Sequence, residues 1–234
     1  MSTTVSISQP GYLPWPGHFD RIARSDLHIV LDSVQYSRGC FINRNRIRTR
    51  DGWRWLTVPV VNAGHTQTTI RDMLVAQPFQ RKHIAAIEGN YSAAKWYGAY
   101  RQDLHDLYSA DYNKLVEVTD AFTDWIMCQL GISTPVCKSS VMLAGGRKSQ
   151  LVLNICLEVG ATRYISGPGG RNYLDVPAFE REGIEVVFHD YECQEYEQAS
   201  HGWKPGMSVL DLLLNHGPDS MEILRRGGMI VEHV

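Results

Sequence analysis

Short apolar runs alternate with amphipathic stretches along most of this chain. Residues 4–8 alternate Ser with Val and Ile and read as a buried strand. Residues 17–25 put Phe19, Ile22 and Ala23 on one helical face. Residues 26–32 are mostly apolar between two aspartates, which suits a strand covered on both faces. Strand, helix and strand in such close order make a βαβ unit, whose ligand loop lies at the C-terminal end of its first strand. That loop, residues 9–18, holds Pro10, Pro14, Pro16, Gly11 and Gly17, so it is stiff and positions Gln9, Tyr12 and His18.

The pattern then changes. Arg44–Arg50 and Trp53–Val60 are strand-like runs joined by Asp51-Gly52, a strong hairpin signal. Period-2 alternation puts Arg44, Arg46, Arg48 and Arg50 on one face. Such a face either meets an anion or carboxylates, or is a solvated, charge-protected edge. Three helical stretches follow at 79–91, 94–108 and 115–130, the last closed by Gly131. A helix at 149–159, a strand at 162–166, a helix at 176–182 and a strand at 184–188 restore the βα alternation. The predicted fold is α/β, a mostly parallel sheet with flanking helices. It carries a β-hairpin near 44–60 and a helical insertion near 79–130, all in one domain over 1–234.

Composition narrows the function classes. The chain has 234 residues, 44% hydrophobic and 21% charged, with a formal net charge of −2. That balance permits a sizeable core and gives no field favouring nucleic acid. No run approaches the roughly 18 apolar residues of a membrane span, and no basic-then-apolar leader opens the chain. The five cysteines are scattered without a CxxC pair, which points to reduced thiols, a cytoplasmic location and no structural metal site. No HxxxH or HxH pair occurs among the histidines.

Candidate chemistry gathers in three loops at predicted strand ends: 9–18, 32–38 and 166–173. In a doubly wound sheet such loops converge on one crevice. Asp32 and Gln35 can orient an amine or hydroxyl. Ser166, Gly167, Gly169, Arg171 and Tyr173 combine free backbone N–H groups with a guanidinium fork, as anion recognition requires. Cys40 and Cys193, with His18 or His189 as base, are the candidate nucleophiles. Pro16-Gly17-His18 also resembles part of the HxGH site of adenylate-forming nucleotidyl transferases, with Trp15 where its first His stands.

A broader likeness runs in order through the chain. It comprises Gln9-Pro10, Tyr12-Leu13-Pro14-Trp15, Gly17, Asp32, Gln35-Tyr36, Asn43-Arg44, Ile47, Gly52 and Trp55–Val60. It continues through Tyr164, Ser166-Gly167, Gly169, Tyr173-Leu174, Tyr196, Gln198, Ser208 and Leu210-Asp211. These motifs resemble the WbqC-like family, whose members are linked to bacterial surface-polysaccharide and other biosynthetic gene clusters. The resemblance implies a biosynthetic acyl or aminoacyl transferase, for example one moving glycine onto an amino sugar. On that expectation His18, Asp32 and Tyr12 are catalytic. Gln9, Gln35, Asn43, Arg44, Ser166, Gly167, Gly169, Arg171 and Tyr173 bind a small-molecule substrate. The donor is an acyl thioester, on an acyl or aminoacyl carrier protein, or ATP is consumed. An ATP-dependent adenylate-forming ligase and a non-catalytic binding subunit remain the alternatives.

Overall fold

The computed structural model describes residues 2–61 and 67–232. In chain order it forms β1 (Thr4–Ser8), α1 (Pro16–Ala23), β2 (Leu27–Val30), β3 (Arg44–Thr49) and β4 (Gly52–Thr57). Three helices follow: α2 (Gln80–Tyr91), α3 (Tyr97–Ser109) and α4 (Leu115–Leu130). Next come β5 (Val136–Lys138), α5 (Lys148–Glu158), β6 (Arg163–Ser166), α6 (Val176–Arg181) and β7 (Glu185–Tyr191). The chain closes with α7 (Val209–His216), α8 (Ser220–Arg226) and β8 (Gly228–Glu232).

Six strands make one sheet in the order β5-β2-β1-β6-β7-β8, parallel except for β8. The fold is therefore α/β with a mostly parallel sheet, as the alternation of elements predicts. The hairpin β3–β4 stands apart as its own two-stranded sheet, with Arg46 opposite Trp55 and Arg48 opposite Trp53. The sequence reading assigns no element beyond residue 188. There α7 is buried at seven of its eight positions, the polar Asp211 and Asn215 among them, and β8 is a short edge strand with no buried residue.

The central sheet has two unlike faces. Val5, Ile7, Ile29, Tyr164, Val186 and Phe188 pack with α5 and α6 into one apolar core. On β1 the alternate residues, Ser6 and Ser8, point the other way and bond His28 of β2 at 2.8 and 3.4 Å. Helix α1 covers that polar face. A second, larger core joins α1, the hairpin, α2–α4 and α7 around Phe19, Ile47, Phe122 and Leu213. Among the described residues, no helix is long and apolar enough to cross a membrane.

One buried carboxylate ties the second core together. Asp211 on α7 accepts hydrogen bonds from Tyr91 Oη (2.8 Å), Tyr196 Oη (2.7 Å) and Gln198 Nε2 (2.8 Å). Gln198 Oε1 accepts from Arg48 Nε, and Tyr91 Oη accepts from the Arg48 backbone N–H. Removing the carboxylate leaves the Tyr91 and Tyr196 hydroxyls without their acceptor, a loss of about 1–3 kcal/mol for a buried group, while Gln198 Nε2 keeps the Lys204 carbonyl. Asp211→Ala is expected to lower unfolding stability by about 3 kcal/mol. A urea titration with an unchanged slope and midpoint would contradict this role.

Candidate functional site

The opening loop is held from three sides. The Tyr12 N–H donates to the Ile42 carbonyl (2.9 Å), Asn45 Nδ2 donates to the Leu13 carbonyl (2.6 Å), and the Val209 N–H donates to the Pro14 carbonyl (2.9 Å). These bonds keep Leu13 at φ 48°, a left-handed conformation that costs an ordinary residue about 1–2 kcal/mol. Strain of this kind persists only where the surroundings over-determine it. The loop then delivers Trp15 to the start of α1, beside Tyr191 at the end of β7 (centroids 5.1 Å, near perpendicular).

There a cleft of about 650 Å³ opens, lined by Trp15, Phe41, Asn45, Arg46, Tyr191, Glu192, Cys193, Trp203, Pro205 and Gly206. It sits at the C-terminal edge of the parallel strands, where α/β sheets place their ligands. Its walls are mainly apolar, with four aromatic rings and a few polar groups. Arg46 lies over the Trp53 ring at 5.1 Å, and a Cβ on Gly206 would come within 2.6 Å of its Nη2. Gly206, at φ 72° like a turn glycine, thus leaves the room the guanidinium needs. Arg46 Nε and Trp203 Nε1 are buried without a hydrogen-bond partner. The Cys193 thiol is pushed up by burial, against the opposing pull of the Gly206 backbone N–H and Arg46.

The hairpin's arginine face resolves differently from either expectation. Indoles, not carboxylates, sit opposite: Arg44 lies 4.4 Å over Trp55 and Arg46 stacks beside Trp53. Arg48 turns inward and donates to the carbonyls of Thr49, Gly52, His201 and Gly202. Stacking on an aromatic face satisfies a guanidinium without a second charge.

The residues singled out from sequence are dispersed. Tyr12 is fully buried, its hydroxyl bonded to His83 Nδ1 (2.8 Å) and the Tyr108 hydroxyl. Asp32 is buried and accepts from Ser139 Oγ (3.1 Å), Ser140 N (2.9 Å) and Ser140 Oγ (2.7 Å). Asn43 Nδ2 donates to the Val58 carbonyl, and Arg44 Nη2 to the Gly39 carbonyl. Gln9 is exposed at the end of β1, and Gln35 is exposed and bridges to Thr69.

In the glycine loop, Ser166 Oγ donates to the Gly167 carbonyl, and Gly169 is exposed. Arg171 makes a two-pronged pair with Asp190 (2.7 and 2.9 Å) and lies over Phe188, on the α5/α6 side of the sheet. Loops 9–18 and 166–173 leave adjacent parallel strands at the same edge. Gly167 meets α1 through Arg21, but the rest of the glycine loop does not line the cleft.

Of the proposed nucleophiles, Cys40 donates to the Ser37 carbonyl, whereas Cys193 is in the cleft wall. His189 is buried against Asp20 (Nε2 to Oδ2, 2.7 Å) and is absent from that wall. Among the described residues, no three His, Cys, Asp or Glu side chains gather as a metal site would need. The sequence reading missed Phe41, Glu192 and Trp203 as cleft residues. The one available signal was the cross-strand alternation of Arg46 with Trp53 and Trp55.

The WbqC-like protein family model matches residues 9–223. The chain belongs to this family. A family relative from Mycobacterium tuberculosis (strain ATCC 25618 / H37Rv), "Uncharacterized protein Rv1507c", is 37% identical over 225 residues, covering 94% of this chain and 97% of its own. No solved structure matches the chain significantly. Several motif residues of the family likeness now have a physical place: Gln198, Tyr196 and Asp211 form the buried network, and Tyr12 to Trp15 form the pinned loop.

The polar face under α1 sets a pH dependence. Burial holds His28 neutral, its pKa lowered to about 3, with the Arg21 charge adding to the effect. Unfolded, histidine titrates near 6.5. Between these values the unfolded chain binds the extra proton, so stability falls as pH drops below 6.5. The contribution amounts to about 2 kcal/mol between pH 6.5 and 5. The His28→Gln variant is therefore expected to lose less stability than the parent from pH 7 to 5. Equal losses in urea titrations at the two pH values would contradict the assignment.

Proposed function

We propose that the protein is a biosynthetic acyl or aminoacyl transferase that forms an amide or ester, with the reacting groups bound in the aromatic cleft at the sheet's C-terminal edge. The observation that carries this reading is the chemistry of the cleft wall. Trp15, Phe41, Tyr191 and Trp203 offer flat apolar faces that suit the C–H face of a sugar ring or an acyl chain. Arg46 and the Trp203 indole N–H are unpaired donors beside them, suited to the charge that develops on a carbonyl oxygen during acyl transfer.

In the step itself, the acceptor amine attacks the acyl carbonyl carbon and forms a C–N bond. Glu192 takes the amine proton. The tetrahedral oxyanion is held by Arg46 and Trp203, and its collapse breaks the bond to the donor's leaving group, which departs with the electron pair. A preformed thioester satisfies this balance without ATP. The amino-sugar acceptor, the glycine-like acyl group and the cytoplasmic setting belong to the same proposal.

A non-catalytic binding role is the second reading. It is favoured by one observation: among the described residues, no histidine lines the cleft.

Turnover of a thioester donor with an amino-sugar acceptor, followed by mass spectrometry of the product, separates the two. Arg46→Ala and Trp203→Phe are each expected to lower the rate tenfold or more, the scale of one lost charge-assisted or oxyanion contact. Leu143→Ser, at a site 95% exposed and outside the cleft, should leave it unchanged. Wild-type rates in both cleft variants would sink the transferase reading. Saturable binding without product would favour the binding subunit.

A further inference from the structure

A second polar site lies beneath α1, away from the cleft wall. Arg21 is its centre. Its Nε is buried without a partner, and the guanidinium makes no hydrogen bond or ion pair among the described residues. The acidic neighbour in the chain, Asp20, binds Arg24 (2.7 Å) and His189 (2.7 Å) through Oδ2, and makes no ion pair with Arg21. An arginine held this way, largely buried and with no counter-charge, is costly unless something anionic joins it.

The surroundings fit a small guest. Gly167 lies against the guanidinium so closely that a Cβ there would overlap Arg21 Nη1. Its own φ is −72°, which any residue could adopt, so the glycine is needed for space and not for conformation. His18, one helical turn before Arg21, shares its face of α1. The His18 ring sits 5.7 Å from that of His28 and makes no hydrogen bond among the described residues. Tyr164 and Tyr173 are near enough to interact with the Arg21 charge, and Tyr173, 45% exposed, stands at the rim.

Charge selects the guest. Burial lowers the pKa of both His18 and His28, so both rings are neutral near pH 7. The site then carries a single positive charge, on a planar fork. A monoanion balances it, and a carboxylate matches the fork's geometry. A phosphate dianion would leave a buried negative charge.

We infer that Arg21, with His18 and the Gly167 backbone beside it, forms a binding site for a small monoanionic carboxylate, such as that of an N-acylated amino acid or a sugar acid. The inference does not depend on the transferase reading, because it concerns binding alone and uses none of the cleft residues.

Thermal unfolding of the full chain in a buffer free of carboxylates and phosphate tests it, with N-acetylglycine, glucuronate, acetate and inorganic phosphate as probes. A saturable rise in midpoint with at least one carboxylate is expected, by mass action on the folded state. N-acetylglycine against glucuronate distinguishes an N-acylated amino acid from a sugar acid. Arg21→Met should unfold at a higher temperature than the parent without probe, because an unpaired buried charge is gone, and should not respond to carboxylate. Gly167→Ala should blunt the response by displacing the guanidinium. Four results would each overturn the site. These are no carboxylate response in the parent, a response to phosphate alone, an undiminished response in Gly167→Ala, and an Arg21→Met midpoint below that of the parent.

Discussion

The carboxylate of Asp211 is the point on which the cleft's shape depends. It is shut from solvent on α7, and burial raises its pKa while Tyr196, Tyr91 and Gln198 pull it down. Through those three donors it fastens α2 and the 196–198 segment to α7, and through Gln198 and Tyr91 it reaches Arg48 on the hairpin. The next residues of the same elements build the cleft. Arg46 is two residues from Arg48, Trp203 follows the segment that Gln198 anchors through Lys204, and Val209 pins the Pro14 carbonyl. Low-dielectric surroundings strengthen such a network when every member is satisfied. Its satisfaction explains how a loop with a strained Leu13 stays in place.

The sheet's two faces divide stability from chemistry. Toward α5 and α6 it is closed by close-packed apolar side chains. Toward α1 it carries Ser6, Ser8, His28 and His189, with Asp20 and Arg21 from the helix above. Most of these polar groups are paired with one another, as buried polar groups must be. Asp20 Oδ1 and Arg21 Nε lack a partner, and of the two residues only Arg21 is without an ion pair, so it draws attention as a binding group. The unpaired donors of the cleft, on Arg46 and Trp203, follow the same logic in a more apolar setting.

Much of the candidate site was illegible before folding. Arg171 has the chemistry of an anion ligand, but Asp190 on the neighbouring strand already neutralises it. Asp32 has the chemistry of a base, but it caps the turn at Ser139 and Ser140. Tyr12 belongs to a loop of ligand-binding type, but its ring is packed between Phe79 and Phe122. Each of these partners lies far along the chain, and residue type alone carries no information about them. Conversely, Arg21 looks like an ordinary exposed helix arginine until β6 brings Gly167 beside it.

Local periodicity determined the strands β1, β2, β6 and β7, the three helices of 79–130 and the Asp51-Gly52 hairpin, because each is set by contacts among near neighbours. The parallel α/β class followed from the alternation of those elements. Tertiary structure alone decided that β6 lies between β1 and β7, that the glycine loop leans away from the cleft, and that Trp15, Arg46, Tyr191 and Trp203 share one wall. The physical reason is that strand order and buried polar pairing are settled by long-range burial and hydrogen-bond satisfaction, which leave no period in the sequence.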